Sequence, residues 1–175
     1  PWGGSLSQLI QIIKYMTDID NQADVVLFIS RKNQKLFNGI NSNRVQIICS
    51  RIASISTVTR IVWEQLFLPF LLVKNNVDIL FCPGNIAPFF QLTKSVQWIG
   101  TIGPFWEEMY SLDIGWWKKI RYKINKFFIY NSAKRSDAVI FESNFTKNLF
   151  NEKYGVNPEK SYVINIGKDD FFSSD

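Results

Sequence analysis

The sequence predicts an α/β fold: a Rossmann-like, doubly wound parallel sheet. Three observations carry this. Six short apolar runs, most closed by a polar or glycine-bearing turn, are spread through the 175 residues. Several of the segments between them carry apolar residues at helical spacing. The stretch from Asp137 to Gly167 reads by itself as strand, helix, strand, glycine, the order of a parallel crossover.

Taken in order, Pro1-Trp-Gly-Gly-Ser-Leu-Ser7 opens onto Leu9, Ile10, Ile12, Ile13 and Met16, the apolar stripe of a helix. Two glycines ahead of a helix suit a strand-to-helix turn whose N–H groups approach an anion. No strand precedes them, so the expectation is a fragment lacking its first strand. Ala23–Ile29 and Arg44–Cys49 are strands, separated by a polar loop with a helical turn. A Ser/Thr-rich linker, Ser50–Thr59, leads to a helix over Ile61–Lys74 that Pro69 should kink or break. Val77–Cys82 and Ser95–Ile99 are the third and fourth strands, and their following loops, Pro83-Gly-Asn85 and Gly100–Phe105, lie where open parallel sheets bind ligands. Trp116–Phe128, continuing to Arg135, is a basic amphipathic helix with Ile120, Ile124, Phe127 and Phe128 on one face. Asp137–Glu142 is a strand, Ser143 a helix N-cap, Gly155 the end of that helix, and Ser161–Ile166 the last strand.

The bulk properties exclude some chemistry. The chain has no histidine, which removes imidazole bases, Ser-His-Asp triads and His-based metal sites; no metal site is indicated. A net charge of +5 favours anionic partners: sugar nucleotides, nucleic acid or acidic lipid. Cys49 and Cys82 each end an apolar run and suit buried free thiols in a reducing compartment. The longest apolar run, Leu66–Val73, is too short to span a bilayer, and no signal-peptide layout is present.

Three segments carry a resemblance. Asp137-Ala-Val-Ile-Phe-Glu-Ser-Asn-Phe-Thr-Lys-Asn-Leu149, with Tyr154-Gly155 and Lys160-Ser-Tyr-Val-Ile-Asn-Ile-Gly167, resembles the end of the N-terminal domain of family 4 glycosyltransferases of the GT-B fold. Trp63–Pro69 followed by Val77–Asn85 is similar to that family's mid-sheet helix and strand, and Gly3-Gly4 resembles its N-terminal glycine loop. The resemblance implies an acceptor-side Rossmann-like domain over residues 1–167, the start of an interdomain linker at 168–175, and a donor domain that lies outside this chain. It further implies transfer of a sugar from a nucleotide-sugar, with retention at the anomeric carbon, to a glycan or lipid-linked acceptor of cell-surface polysaccharide synthesis. The nucleotide-sugar is then a co-substrate, no metal or other cofactor is called for, and the chain alone is inactive. Family members often carry a histidine after the strand matching Ser95–Ile99; here Gly100 or Thr101 stands there.

The expected sites follow. Gly3, Gly4 and Ser5 form a donor-phosphate or acceptor loop. Asn85, Thr101, Gly103 and Glu107 line an acceptor-side cleft, with Glu107 or Glu108 as a base that orients a hydroxyl. Trp116, Trp117, Lys118, Lys119, Arg121 and Lys123 are membrane-facing candidates, for a cytoplasmic protein peripheral on the inner face of the membrane. The same helix could instead turn its apolar side to the core. A competing function is a non-catalytic Rossmann-like module that docks its basic, aromatic helix on membrane or nucleic acid; no nucleic-acid-binding motif accompanies it.

Overall fold

The computed structural model describes residues 4–18, 23–40, 43–100, 102–105 and 115–165. The chain is α/β, with every strand pair parallel and helices between the strands. The strands hydrogen-bond in two sets rather than in the single sheet expected, because β1 and β2 find only each other among the described residues. These sets belong to two compact units: residues 1–78 with 90–93, and residues 79–89 with 94–175.

The first unit is built on α1 (Gly4–Asp18), β1 (Val25–Ser30) and β2 (Val45–Ser50). Its two strands run in register from Val25 opposite Val45 to Ser30 opposite Ser50. Leu6, Leu9, Ile10 and Ile13 recur at three- and four-residue spacing on α1 and pack against Leu27, Ile29, Val45 and Ile47 around the buried ring of Phe37. A 3-10 turn, Arg31–Phe37, supplies that ring where the sequence predicts a loop with a helical turn.

The helix expected at Ile61 begins earlier. Ser56 Oγ accepts from the Thr59 N–H, and Thr59 Oγ1 accepts from the Ser56 N–H, a reciprocal capping box that starts α2 (Thr57–Leu66) inside the supposed linker. Pro69 breaks it as expected: α2 ends at Leu66, and α3 (Leu68–Lys74) carries the proline in its first turn, where no backbone N–H is required. On α2, burial raises the Glu64 carboxyl above the ordinary range, and Arg60, 3.4 Å away, offsets this only in part.

The second unit holds β3 (Ile79–Cys82), β4 (Lys94–Ile99), α4 (Trp116–Arg135), β5 (Ala138–Phe141), α5 (Asn144–Asn148) and β6 (Ser161–Val163). Its sheet runs β3-β4-β5-β6. Asp137 extends the β4–β5 ladder by one step: its N–H donates to Ser95 O (3.0 Å), and its carboxylate accepts the Ser95 N–H (2.8 Å). Ile99, Phe105, Ile129, Ala133, Val139, Phe141, Phe150 and Val156 form the core. The Phe105 ring lies 4.5 Å from that of Phe150 and 5.0 Å from that of Tyr154. Ser143 caps α5 by accepting the Thr146 N–H, as predicted. The helix then widens into a π turn over Leu149–Lys153 and ends at Gly155, whose φ is +63°. Cys82 is buried and Cys49 half-buried, and neither forms a disulfide.

Three outcomes test this account. Gly155→Ala meets no atom within 4 Å but forces a side chain into the left-handed region; it should cost about 1–2 kcal/mol in denaturant unfolding. Gly84→Ala, equally open and without a positive φ, should stay within about 0.5 kcal/mol of wild type. The folded state holds the Glu64 proton more tightly than the unfolded chain, so Glu64 weakens the fold as pH rises from the ordinary carboxylate range through its raised value. Glu64→Gln should therefore raise the thermal midpoint near neutral pH and leave it unchanged below that window.

Candidate functional site

In the second unit, three strand ends meet at the C-terminal edge of the sheet, the edge at which open parallel sheets take ligands. Asn85 follows β3, Gly100 follows β4 and Glu142 follows β5. β4 pairs with both of its neighbours, which brings the three segments together.

The arrangement is fixed from below by Gln97. Burial alternates along β4, so that Ser95, Gln97 and Ile99 face the core. The Gln97 amide nitrogen donates to Asn85 O and to Ile129 O (3.3 Å). Its oxygen accepts from Ser136 Oγ (3.4 Å). A buried amide is tolerable only with such partners. Held by its carbonyl, Asn85 adopts a left-handed conformation, φ +66°, which asparagine accepts more readily than most residues. Its side-chain oxygen then accepts the Gly100 N–H at 2.8 Å. That atom is thus engaged within the fold, which narrows what the Asn85 amide can offer to the acceptor hydroxyl expected from the sequence.

Glu142 overhangs Gly100. A Cβ built on Gly100 would lie 2.6 Å from Glu142 Oε1, so the carboxyl group fills the space a side chain at 100 would need. Burial raises the Glu142 carboxyl above the ordinary range. The nearby Trp98 indole partly offsets this, although its buried N–H lacks full hydrogen-bond geometry to any partner among the described residues. A carboxyl group so placed can accept a hydroxyl hydrogen bond.

Of the residues singled out from the sequence, Gly3, Thr101, Glu107, Glu108 and Gly167 lie outside the described residues. Gly4 and Ser5 are the first two residues of α1, in the first unit. Gly103 opens a short 3-10 turn, Gly103–Phe105, that the buried Phe105 ties to the core. Sequence reasoning missed Gln97 and treated Glu142 only as the end of a strand.

The α4 candidates present a different surface. Trp116, Trp117, Ile120, Ile124 and Phe127 form a stripe along the helix and are exposed, Trp117 to 70% and Phe127 to 58%. The core is met instead by Ile129, Ser132 and Ala133 on the second half of α4. The core-facing alternative for Ile120, Ile124 and Phe127 therefore does not hold, and only Phe128 turns partly inward, stacked 5.2 Å from Phe89. The cations also divide. Lys126 lies over the Tyr154 ring (5.0 Å), Lys134 over Tyr130 (4.7 Å) and Arg135 over Phe89 (5.1 Å). Lys118, Arg121 and Lys123 are exposed and Lys119 half-exposed beside the stripe.

A family model described as Glycosyltransferase Family 4 matches residues 2–170. The chain belongs to this family. No curated protein and no solved structure matches it. Family 4 membership agrees with the parallel α/β architecture and supports a glycosyltransferase function, with a sugar donor and an acceptor as substrates in general. Among the described residues no helix is long and apolar enough to cross a membrane, and no cluster of acidic or thiol side chains could hold a metal ion.

Gln97→Ala should leave the Asn85 carbonyl without its amide donor, at about 1–3 kcal/mol, whereas Ile129 O keeps the Ser132 hydroxyl. Asn85→Gly keeps the left-handed backbone and loses one hydrogen bond, so it should cost less than Asn85→Ala. Chemical denaturation of the three variants checks both the size and the order.

Proposed function

We propose that this chain is the acceptor-side half of a retaining, hexosyltransferase-type family 4 glycosyltransferase. It takes a glycan or lipid-linked acceptor, while a C-terminal donor domain holds the nucleotide-sugar. The pathway is cell-surface polysaccharide synthesis, with the nucleotide-sugar as co-substrate and no metal required. The observation that supports the acceptor side is the meeting of Asn85, Gly100 and Glu142 at one sheet edge within a family 4 domain. The glycine loop at Gly3, Gly4 and Ser5 and the loop bearing Thr101, Gly103 and Glu107 complete this proposal.

The exposed stripe on α4 supports a position on the inner face of the membrane. Aromatic residues at its start, apolar residues along it and cations beside it suit a helix lying at an anionic lipid surface. Trp116 and Trp117 stack with centroids 3.9 Å apart, a compact wedge at the helix N-terminus. A lipid-linked acceptor would then reach the domain from the surface on which it rests.

Two experiments bear on this. The purified 175 residues should bind acceptor glycans without consuming nucleotide-sugars, and the chain joined to its donor domain should transfer sugar equally with and without EDTA. Turnover by the 175 residues alone, or loss of transfer on chelation, counts against the proposal. In flotation assays the chain should rise with phosphatidylglycerol vesicles and not with phosphatidylcholine vesicles. Trp116→Ala with Trp117→Ala should abolish this, and each cation removed among Lys118, Arg121 and Lys123 should cost about 1 kcal/mol of binding. Equal flotation with both lipids, or none with either, would sink the membrane assignment.

A further inference from the structure

In the sequence, Glu142 is the last residue of an apolar run. The fold gives it a built seat. The nearest atoms to a Cβ on Gly100 would be Glu142 Oε1 at 2.6 Å, Cδ at 3.3 Å and Oε2 at 3.7 Å. The carboxyl group therefore lies over the Gly100 main chain, with Oε1 the nearer oxygen and Oε2 the farther. The seat is rigid. Gly100 N–H is bound to Asn85 Oδ1, and Asn85 O is bound by the wholly buried amide of Gln97. The residue itself is half-buried and the glycine beneath it is exposed, so the pair stands at the rim of the sheet rather than inside the core.

We propose that the Glu142 carboxylate, seated over Gly100 at the C-terminal edge of the sheet, accepts a hydrogen bond from a hydroxyl of the acceptor sugar and so positions it. This rests on the acceptor-side assignment above. A carboxylate offers two oxygens, which suits neighbouring hydroxyls of a sugar ring, and an O–H···O⁻ bond is roughly twice as strong as a neutral one. The absence of a side chain at position 100 is what admits the carboxylate. Partial burial, which also raises its pKa, leaves less water for a sugar hydroxyl to displace. The neighbouring Trp98 indole N–H, buried without a full partner, adds a dipole that favours the ionised form.

The test uses methyl glycosides of glucose, galactose, mannose and N-acetylglucosamine as probes, titrated into the chain and followed by saturation-transfer NMR. Wild type should bind at least one probe saturably. Glu142→Gln, which keeps shape and removes charge, should weaken that probe about tenfold or more. Gly100→Ala should do the same by displacing the carboxylate. The atom its methyl would strike is the far end of a flexible side chain, so its thermal midpoint should stay within about 2 °C of wild type. Because both changes remove one bond, the double variant should bind no more weakly than Glu142→Gln alone. Wild-type affinity in Glu142→Gln, or strictly additive losses in the double variant, would overturn the role of Glu142 while leaving the acceptor-side assignment standing. Failure of the wild-type chain to bind any probe would overturn both.

Discussion

The buried amide of Gln97 is the interaction on which the second unit depends. It stands in the interior strand β4, fully shielded from water, and its three hydrogen bonds reach three separate segments: the turn after β3, the middle of α4 and the turn before β5. An amide in that position is costly unless every bond is made, so the segments are held to one arrangement. Ser132, also buried, returns its hydroxyl proton to Ile129 O, and buried Ser136 shares its one proton between Ser132 O (3.0 Å) and Gln97 Oε1 (3.4 Å), which extends this polar seam through an otherwise apolar core. The left-handed turn at Asn85, the bound N–H of Gly100 and the seat of Glu142 all follow from it. The geometry of the site is thus an outward extension of core packing.

This dependence explains what could be read from the sequence. The strands, the break at Pro69, the cap at Ser143 and the stop at Gly155 were legible because each rests on local chemistry: apolar runs, a missing N–H, a hydroxyl acceptor, a positive φ. The start of α2 was misplaced because Ser56 and Thr59 read as linker residues until their reciprocal bonds are seen. Gln97 was hidden by its own pattern. In Ser95-Val-Gln-Trp-Ile99 the residues at 95 and 97 are polar, so simple alternation assigns that face to solvent, whereas it is the buried one. Glu142 was hidden because its partner, Gly100, is adjacent only once β4 and β5 pair.

The α4 helix shows a second limit of periodicity. An apolar stripe reports that a face avoids water; it does not report what covers it. On α4 the Trp116–Phe127 stripe stays exposed, while the second half is anchored through Ile129, Ser132 and Ala133. The cations inform more. Lys126, Lys134 and Arg135 are drawn over aromatic rings, and those beside the exposed stripe remain outward. Because the helix is continuous, its anchored half sets the direction of the exposed half.

The division of the chain into units carries a practical consequence. The backbone leaves the first unit after residue 78, returns at residue 90, where Phe90 meets Phe70 with ring centroids 6.4 Å apart, and leaves again after residue 93. Three crossings, rather than one tether, join the two units. No single cut releases either with all of its parts: ending a clone at residue 78 strips the first unit of its Phe90–Thr93 segment, and starting one at residue 79 carries that segment along as a foreign loop. Dissection of this domain is therefore a matter for circular permutation or loop replacement rather than truncation.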